Sequence, residues 1–429
     1  MNVLVYVPSG FDTIGGGRRV SADLSAAFLR AGHRTLNWSL RAAESSAESE
    51  PAASRFEAAL ERNGIELVLF DSEFALLEFG EVIGEDARWP RGIVRAALIH
   101  DQLWNDDARA MMLPSCGSDA ARLAREIPSL PIRAYYAAER ESLVALTGRD
   151  FRGGRVGGAW YKRNALWRAS REARERFRHD REIQRRKRLV RELDLIFTLT
   201  ERARRESIAA YGLSEDRVAC AFGAPDYRPG VVPRVRDFRR ESGSEGKKVL
   251  LSFARMAPEK YVEMTVLAFE HLSRTVPEAV LWLGGQVVAS QRLYADFVRA
   301  VVSSLGVGGK VFEWGTCSEE EMVNLYEQSD GFVCSQPADF NLSAYTALKL
   351  GKPIVVPETY DFPAALRGSA LIRSGPATIE NVAARMADAL RKPPSRSEAE
   401  DSFVETVSMT SYARSILDAA SGLRARACA

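Results

Sequence analysis

Between residues 249 and 357 short apolar runs alternate with amphipathic stretches so regularly that few folds can accommodate them. Val249–Phe253, Val280–Leu283, Val311–Trp314, Gly331–Cys334 and Pro353–Pro357 each read as a strand buried on both faces. Helical spacing fills the gaps at 262–275, 291–305, 319–328 and 343–350, and a further helix fits 378–391. Ser318 followed by Glu321 is a capping-box start for the third of these helices. The alternation predicts a parallel, doubly wound sheet with helices on both faces.

The beginning of the chain repeats the theme. An apolar strand at 3–7 runs into Gly10-Phe11-Asp12-Thr13-Ile14-Gly15-Gly16-Gly17, and the next helix places Val20, Leu24, Ala27, Phe28 and Ala31 on one face before Gly32 stops it. Further strands fit Leu67–Phe70, Val94–Ile99 and Leu195–Leu199. Pro229, Gly230, Pro233, Gly243 and Gly246, with few apolar anchors between them, read as a linker. Phe403, Val407, Tyr412, Ile416 and Leu417 predict a docking helix within 400–420. The expected plan is an amino-terminal Rossmann-like domain over 1–228, a linker over 229–246 and a second such domain over 247–395. Residues 396–429 are then expected to return as a helix to the first domain.

A chain of 429 residues suits two or three domains. With 46% hydrophobic and 27% charged residues and a net charge of +2, it reads as a globular protein with no global polyelectrolyte behaviour. It contains no apolar run of about 18 residues, so no transmembrane helix is expected. The opening Met1–Val7 goes directly into a strand and does not read as a secretory signal. Cys116, Cys220, Cys317, Cys334 and Cys428 are scattered without a CxxC spacing, which points away from a disulfide framework or zinc site and toward the cytoplasm. Fifty Arg against nine Lys, with much Ala, is the bias a high-GC bacterial genome produces, so a Lys that persists is a slightly better guess for chemistry. Residues 152–192 hold fifteen basic and five acidic side chains. They read either as a solvated helix or as a basic face for an anionic partner, and the scarcity of Trp and Leu beyond Trp160, Leu166 and Trp167 tells against membrane insertion.

The most informative segment is Phe253-Ala254-Arg255-Met256-Ala257-Pro258-Glu259-Lys260, in the loop after the first strand of the second domain. Arg255 and Lys260 can converge there on a diphosphate, with the amino terminus of the following helix adding partial positive charge. The plainer alternative is an exposed helix start with solvated first-turn charges.

These residues and others in the same order resemble a family-4 glycosyltransferase of GT-B architecture, two facing Rossmann-like domains. Arg255, Pro258, Glu259 and Lys260 match that family's donor-diphosphate loop, with Ala254 and Tyr261 where glycines are usual. Gly15-Gly16-Gly17 and Leu29 to His33 resemble its amino-terminal glycine loop and helix end, and His100-Asp101 its donor-facing loop. Gly223 falls at the interdomain turn, with Phe222 replacing Asn. Gly284-Gly285, Gly315, Ser318 to Glu321, Tyr326, Asp330 and Gly351-Lys352-Pro353 continue the pattern. The resemblance is best over 248–357 and weak over 34–90 and 102–190.

The main departure is Ala338-Asp339-Phe340-Asn341-Leu342-Ser343-Ala344-Tyr345-Thr346. The family usually carries Glu-Gly-Phe-Gly-Leu there and a second Glu eight residues after the first. Aligned through Phe340, Leu342 and Gly351-Lys352-Pro353, both glutamates are absent, replaced by Ala338 and Thr346, and Asp339 is the nearest carboxylate. The diphosphate clamp looks kept while sugar and ribose recognition look altered.

The resemblance implies retaining transfer of a sugar from a nucleoside diphosphate donor of UDP or GDP type. Arg255 and Lys260 would stabilise the leaving diphosphate, with the amides of Gly15, Gly16, Gly17, Asn341 and Leu342 beside them. His100 and Asp339 would orient the sugar, and Thr346 would meet the ribose. No cofactor and no metal are implied, and Asp106-Asp107 reads better as a helix start than as a metal dyad. A small-molecule acceptor, such as an antibiotic precursor, is expected. No nucleic acid or membrane partner is expected, and a homodimer is one expected assembly. A lipid or polysaccharide acceptor, an inactive descendant and a catalytically silent GT-B partner protein stand as alternatives.

Overall fold

The computed structural model describes residues 1–7, 16–39, 51–84, 88–99, 184–225, 227, 229–257, 260–287, 292–336, 340–363, 366, 368–391 and 407–428. They form two compact units, one from the described residues up to 225 together with 407–428, the other from 227–391.

The first unit opens β1 (Asn2–Tyr6), α1 (Gly16–Arg30), β2 (Arg34–Trp38), α2 (Ala52–Arg62), β3 (Leu67–Phe70), α3 (Glu73–Val82) and β4 (Val94–Ile99). After a helical stretch at 184–192 come β5 (Leu195–Thr198), α4 (Glu201–Tyr211) and β6 (Val218–Cys220). All neighbouring strands are parallel, in the order β2-β1-β3-β4-β5-β6. β3 and β5 are buried at every position, as strands covered on both faces require. Ser72 and Thr200 cap α3 and α4 by accepting from Ala75 and Ala203 backbone N–H groups. Gly212 ends α4 in the left-handed conformation. Leu24, Ala27 and Phe28 of α1 are buried as expected, whereas Ala31 lies past the helix end and is exposed.

The carboxy-terminal helix is Met409–Cys428, later and longer than the expected 400–420. Tyr412, Ala413, Ile416, Leu417 and Ala420 complete the core that holds Val3, Val5, Leu24 and Phe28, so the return to the first domain is as expected. The basic segment is described only at its end. There Leu189 and Val190 are buried, Arg185 pairs with Glu81 at 2.6 Å and Arg191 donates to the Tyr211 carbonyl at 2.8 Å. The rest of that segment lies outside the described residues. Among the described residues no helix is long and apolar enough to cross a membrane.

The second unit follows its expected alternation closely: β7 (Lys248–Phe253), α6 (Val262–Thr275), β8 (Ala279–Gly284), α7 (Arg292–Ser304), β9 (Val311–Gly315) and α8 (Glu319–Gln328), preceded by the short α5 (Phe238–Glu241). Then come β10 (Gly331–Val333), α9 (Leu342–Lys349), β11 (Ile354–Pro357), β12 (Ile372–Gly375) and α10 (Ile379–Arg391). The parallel order is β12-β11-β10-β7-β8-β9. Ser318 and Glu321 form the expected capping box on α8.

Residues 229–246 are not a free linker. Phe238 of α5 is fully buried, 4.8 Å from the Trp314 ring and 6.1 Å from Trp282, with the Arg236 guanidinium over Phe238 at 4.8 Å. Arg239 reaches Asp330 at 2.9 Å and the Gln328 carbonyl at 2.7 Å, and Asn324 accepts from Val235 N–H at 2.7 Å. Proline and glycine mark turns in this stretch. Its anchors are arginines and one aromatic ring, which leave no helical or strand period to read.

Candidate functional site

In the second sheet the strand order reverses between β7 and β10. Parallel sheets bind ligands outside the carboxyl ends of strands at such a reversal. The loop leaving β7 carries Arg255 and Lys260, and the loop leaving β10 carries Cys334, Gln336 and Asn341. The structure joins them. Lys260 Nζ donates to Gln336 Oε1 at 3.1 Å, and Asn341 Nδ2 lies 3.5 Å from the same oxygen and 3.4 Å from Cys334 Sγ. The Tyr360 hydroxyl, beyond β11, is 3.1 Å from Cys334 Sγ. A polar chain thus crosses the carboxyl ends of β11, β10 and β7. Burial pushes the Cys334 thiol up, so it stays protonated and acts there as a neutral bridge.

Asn341 is the N-cap of α9, its Oδ1 accepting from Ala344 N–H at 3.1 Å. The amides of Leu342 and Ser343 fall in the first turn, where a helix supplies no acceptor of its own. Those amides and the Lys260 ammonium can only donate, and the exposed Arg255 side chain adds a second cation on the same loop. The group they suit is an anion with several oxygens.

The start of α6 differs from what the sequence suggested. Val262 N–H donates to Tyr294 Oη at 2.9 Å, and that hydroxyl donates to Glu263, a carboxylate 2% exposed. The first amide of α6 is therefore satisfied inside the protein, and the first-turn amides of α9 are the ones beside the Gln336–Asn341 contact. Tyr261, where the resembling family has glycine, sits at φ 53, in the left-handed region. The turn that glycine makes easily is kept here by a buried tyrosine at some conformational cost.

The remaining expected site residues fall in separate places. Gly16 and Gly17 open α1 of the first unit. Gly223 lies against the carboxy-terminal helix, where an added Cβ would come 2.8 Å from Tyr412 Cβ and 2.9 Å from the Ser408 carbonyl oxygen, so it serves close packing. Thr346 is 3% exposed and its hydroxyl donates to the Leu342 carbonyl at 3.0 Å, within its own helix. Lys352 caps the end of α8, donating to the carbonyls of Glu327 and Ser329 at 2.7 Å each. Gly15, His100, Pro258, Glu259 and Asp339 lie outside the described residues.

Two groups escaped the sequence reading. Gln336 gives no pattern signal, because only the strand order brings it to Lys260. Asp71 does give one, an acid directly after a fully buried strand. It sits at the reversal between β1 and β3 of the first sheet, 6% exposed. Ser21 of α1 and Ser72 donate to it at 2.6 and 2.9 Å. Burial pushes its pKa up to about 6, the two hydroxyls opposing and the Glu78 charge adding to the rise. The folded state therefore holds this proton more tightly than the unfolded chain. Its contribution to stability falls as pH rises from about 4 to about 6, and the cost is complete above that. Asp71→Asn is expected to stabilise the protein by about 3 kcal/mol near pH 8 and by little near pH 4. Melting temperatures of both proteins across that range test this, and a constant difference would contradict it.

Residues 235–402 match the family model described as Glycosyl transferases group 1. The mannosylfructose-phosphate synthase of Agrobacterium fabrum is 33% identical over 122 residues, which are 28% of this chain and 27% of that protein. The chain thus matches about a quarter of that relative's length. Among solved structures, HepE of Anabaena in complex with UDP and glucose superposes with a TM-score of 0.61 at 12% identity, covering 98% of this chain and 99% of that one. Sucrose-phosphate synthase from Thermosynechococcus elongatus gives a TM-score of 0.64 at 13% identity, covering 99% and 100%. Two six-stranded parallel sheets with this strand order, and the likeness to these structures, show a GT-B fold, within which residues 235–402 are similar to the glycosyl transferases group 1 model.

Proposed function

We propose that the protein is a retaining glycosyltransferase that moves a sugar from a nucleoside diphosphate donor to a small-molecule acceptor. The observation that carries this reading is the link from Lys260 through Gln336 to Asn341, the N-cap of α9, at the β7/β10 reversal, with Arg255 on the same loop. As the bond from anomeric carbon to phosphate breaks, negative charge grows on the diphosphate. Lys260, Arg255 and the Leu342 and Ser343 amides oppose that charge without reorganising. The acceptor hydroxyl attacks from the leaving-group face and gives its proton to the departing phosphate, so no separate base is required. His100 and Asp339 orient the sugar in this reading.

Leaving-group stabilisation by cations and amides also implies activity without a divalent metal. HepE, solved with UDP and glucose, supports a uridine donor. The likeness to sucrose-phosphate and mannosylfructose-phosphate synthases supports a sugar or sugar phosphate as the small-molecule acceptor. Calorimetric titration with UDP and GDP, in EDTA, tests the reading. One of them is expected to bind with a Kd below about 1 mM, the range in which enzymes meet their substrates. Failure of both to bind would favour the silent-partner alternative.

A further inference from the structure

A lysine ammonium taken partly out of water is commonly paired with a carboxylate, which fixes its position and offsets its charge. Lys260 is held differently. Among the described residues its hydrogen-bond partner is the neutral side-chain amide of Gln336, 76 residues away in sequence, at 3.1 Å. An ammonium only donates, so the amide edge turned toward it is the oxygen. That oxygen has a second lone pair, toward which Asn341 Nδ2 points at 3.5 Å, while Asn341 Oδ1 is fixed on the first turn of α9. The backbone beneath is pinned as well. Ser335 and Thr265 share a buried hydrogen bond of 2.8 Å, which ties the loop after β10 to α6, the helix that Lys260 precedes.

We infer that Gln336 is a positioning residue that holds the Lys260 ammonium at the amino terminus of α9 without neutralising it. A lysine side chain has four rotatable bonds, and leaving them free would cost conformational entropy each time the ammonium met a ligand. A carboxylate at position 336 would remove that cost but would also compete with the ligand for the charge. A neutral carbonyl oxygen places the ammonium and leaves its full charge for the anion. The inference rests on the diphosphate reading of the site and adds to it the residue that sets where the cation stands.

The test uses the full chain with Gln336→Glu and Gln336→Leu, each also in a Lys260→Ala background. Gln336→Glu pairs with Lys260, so kcat is expected to fall at least about tenfold at pH 8 while the melting temperature stays or rises. Among the described residues, the titratable groups in this hydrogen-bonded chain are Lys260, Cys334 and Tyr360. Burial keeps the Cys334 thiol protonated across this range. Pairing with Lys260 holds the introduced carboxyl below the usual carboxylate range, so the loss of kcat is expected to persist as pH falls to 5, relative to the unchanged protein. Gln336→Leu leaves the ammonium unplaced and is expected to lower kcat by about tenfold at all pH values, more than it changes donor KM. In the Lys260→Ala background both changes are expected to have little further effect. Equal kcat for Gln336→Leu and the unchanged protein, or full additivity with Lys260→Ala, would overturn the inference while leaving the diphosphate reading intact. Absence of nucleoside diphosphate binding to the unchanged chain would instead overturn that reading, and this inference with it.

Discussion

Arg255→Ala and Lys260→Ala are each expected to lower kcat/KM by about 30- to 1,000-fold, a loss of about 2–4 kcal/mol of transition-state stabilisation. The effect is large because these cations face charge that appears only as the donor bond breaks. Their interaction with the ground-state sugar nucleotide is weaker, so kcat should carry much of the change. Stability should barely respond. Arg255 is exposed and Lys260 is half-buried against a neutral amide, so truncation opens no sizeable cavity. Steady-state kinetics with the donor that binds, together with a thermal melt of each variant, check this. Turnover unchanged in both would remove the diphosphate assignment.

Gly285→Ala is expected to destabilise the second domain by more than about 3 kcal/mol, through steric overlap added to backbone strain. Gly285 has φ 127, and an added Cβ would stand 2.0 Å from the Ala254 carbonyl oxygen and 2.5 Å from its carbon. Both obstacles are backbone and cannot rotate away. They also lie directly before Arg255, in the stretch that Met256 N–H ties to the Gln286 carbonyl at 3.0 Å. Relief of the overlap must push the β7 loop outward, so any folded fraction should have lost nucleotide affinity as well. Gly308→Ala, where an added Cβ meets nothing within 4 Å, is the matched control and should change stability by less than about 0.5 kcal/mol. Comparable urea midpoints for the two variants would contradict the steric account.

The second domain was legible because its central strands are fully buried and its helices carry strong local signals. The helix over 262–275 and the Ser318 capping box stand where the pattern placed them. Of the edge strands, β9 was read at 311–314, but β2, β6 and β12 were not. β2 reads Arg-Thr-Leu-Asn-Trp and is partly exposed along most of its length, since one side of an edge strand has no neighbour to bury it. The aromatic cluster of the first domain shows the same limit. Tyr6, Trp38, Phe56, Phe70 and Phe79 meet within 6.4 Å of one another in several pairs, but they come from five elements and share no period. At the site, Lys260 could be singled out because it is a rare lysine in a loop after a strand. Its partner could not, because 76 residues separate Gln336 from it and only the sheet reversal closes that distance. Tyr261 shows that a loop can keep the path of a glycine without the glycine, so the sequence difference there overstated the structural one.

The carboxy-terminal helix sets an order of events during synthesis. Residues 227–391 form a unit whose core draws on no later part of the described chain, so that domain can fold as soon as it has left the ribosome. The amino-terminal domain is made first yet finishes last. Val3, Val5 and Phe28 wait for Tyr412, Ile416 and Leu417, and until these arrive the part of that face which α1 does not cover stays open to water. An apolar surface made early in synthesis thus waits for partners made about 400 residues later.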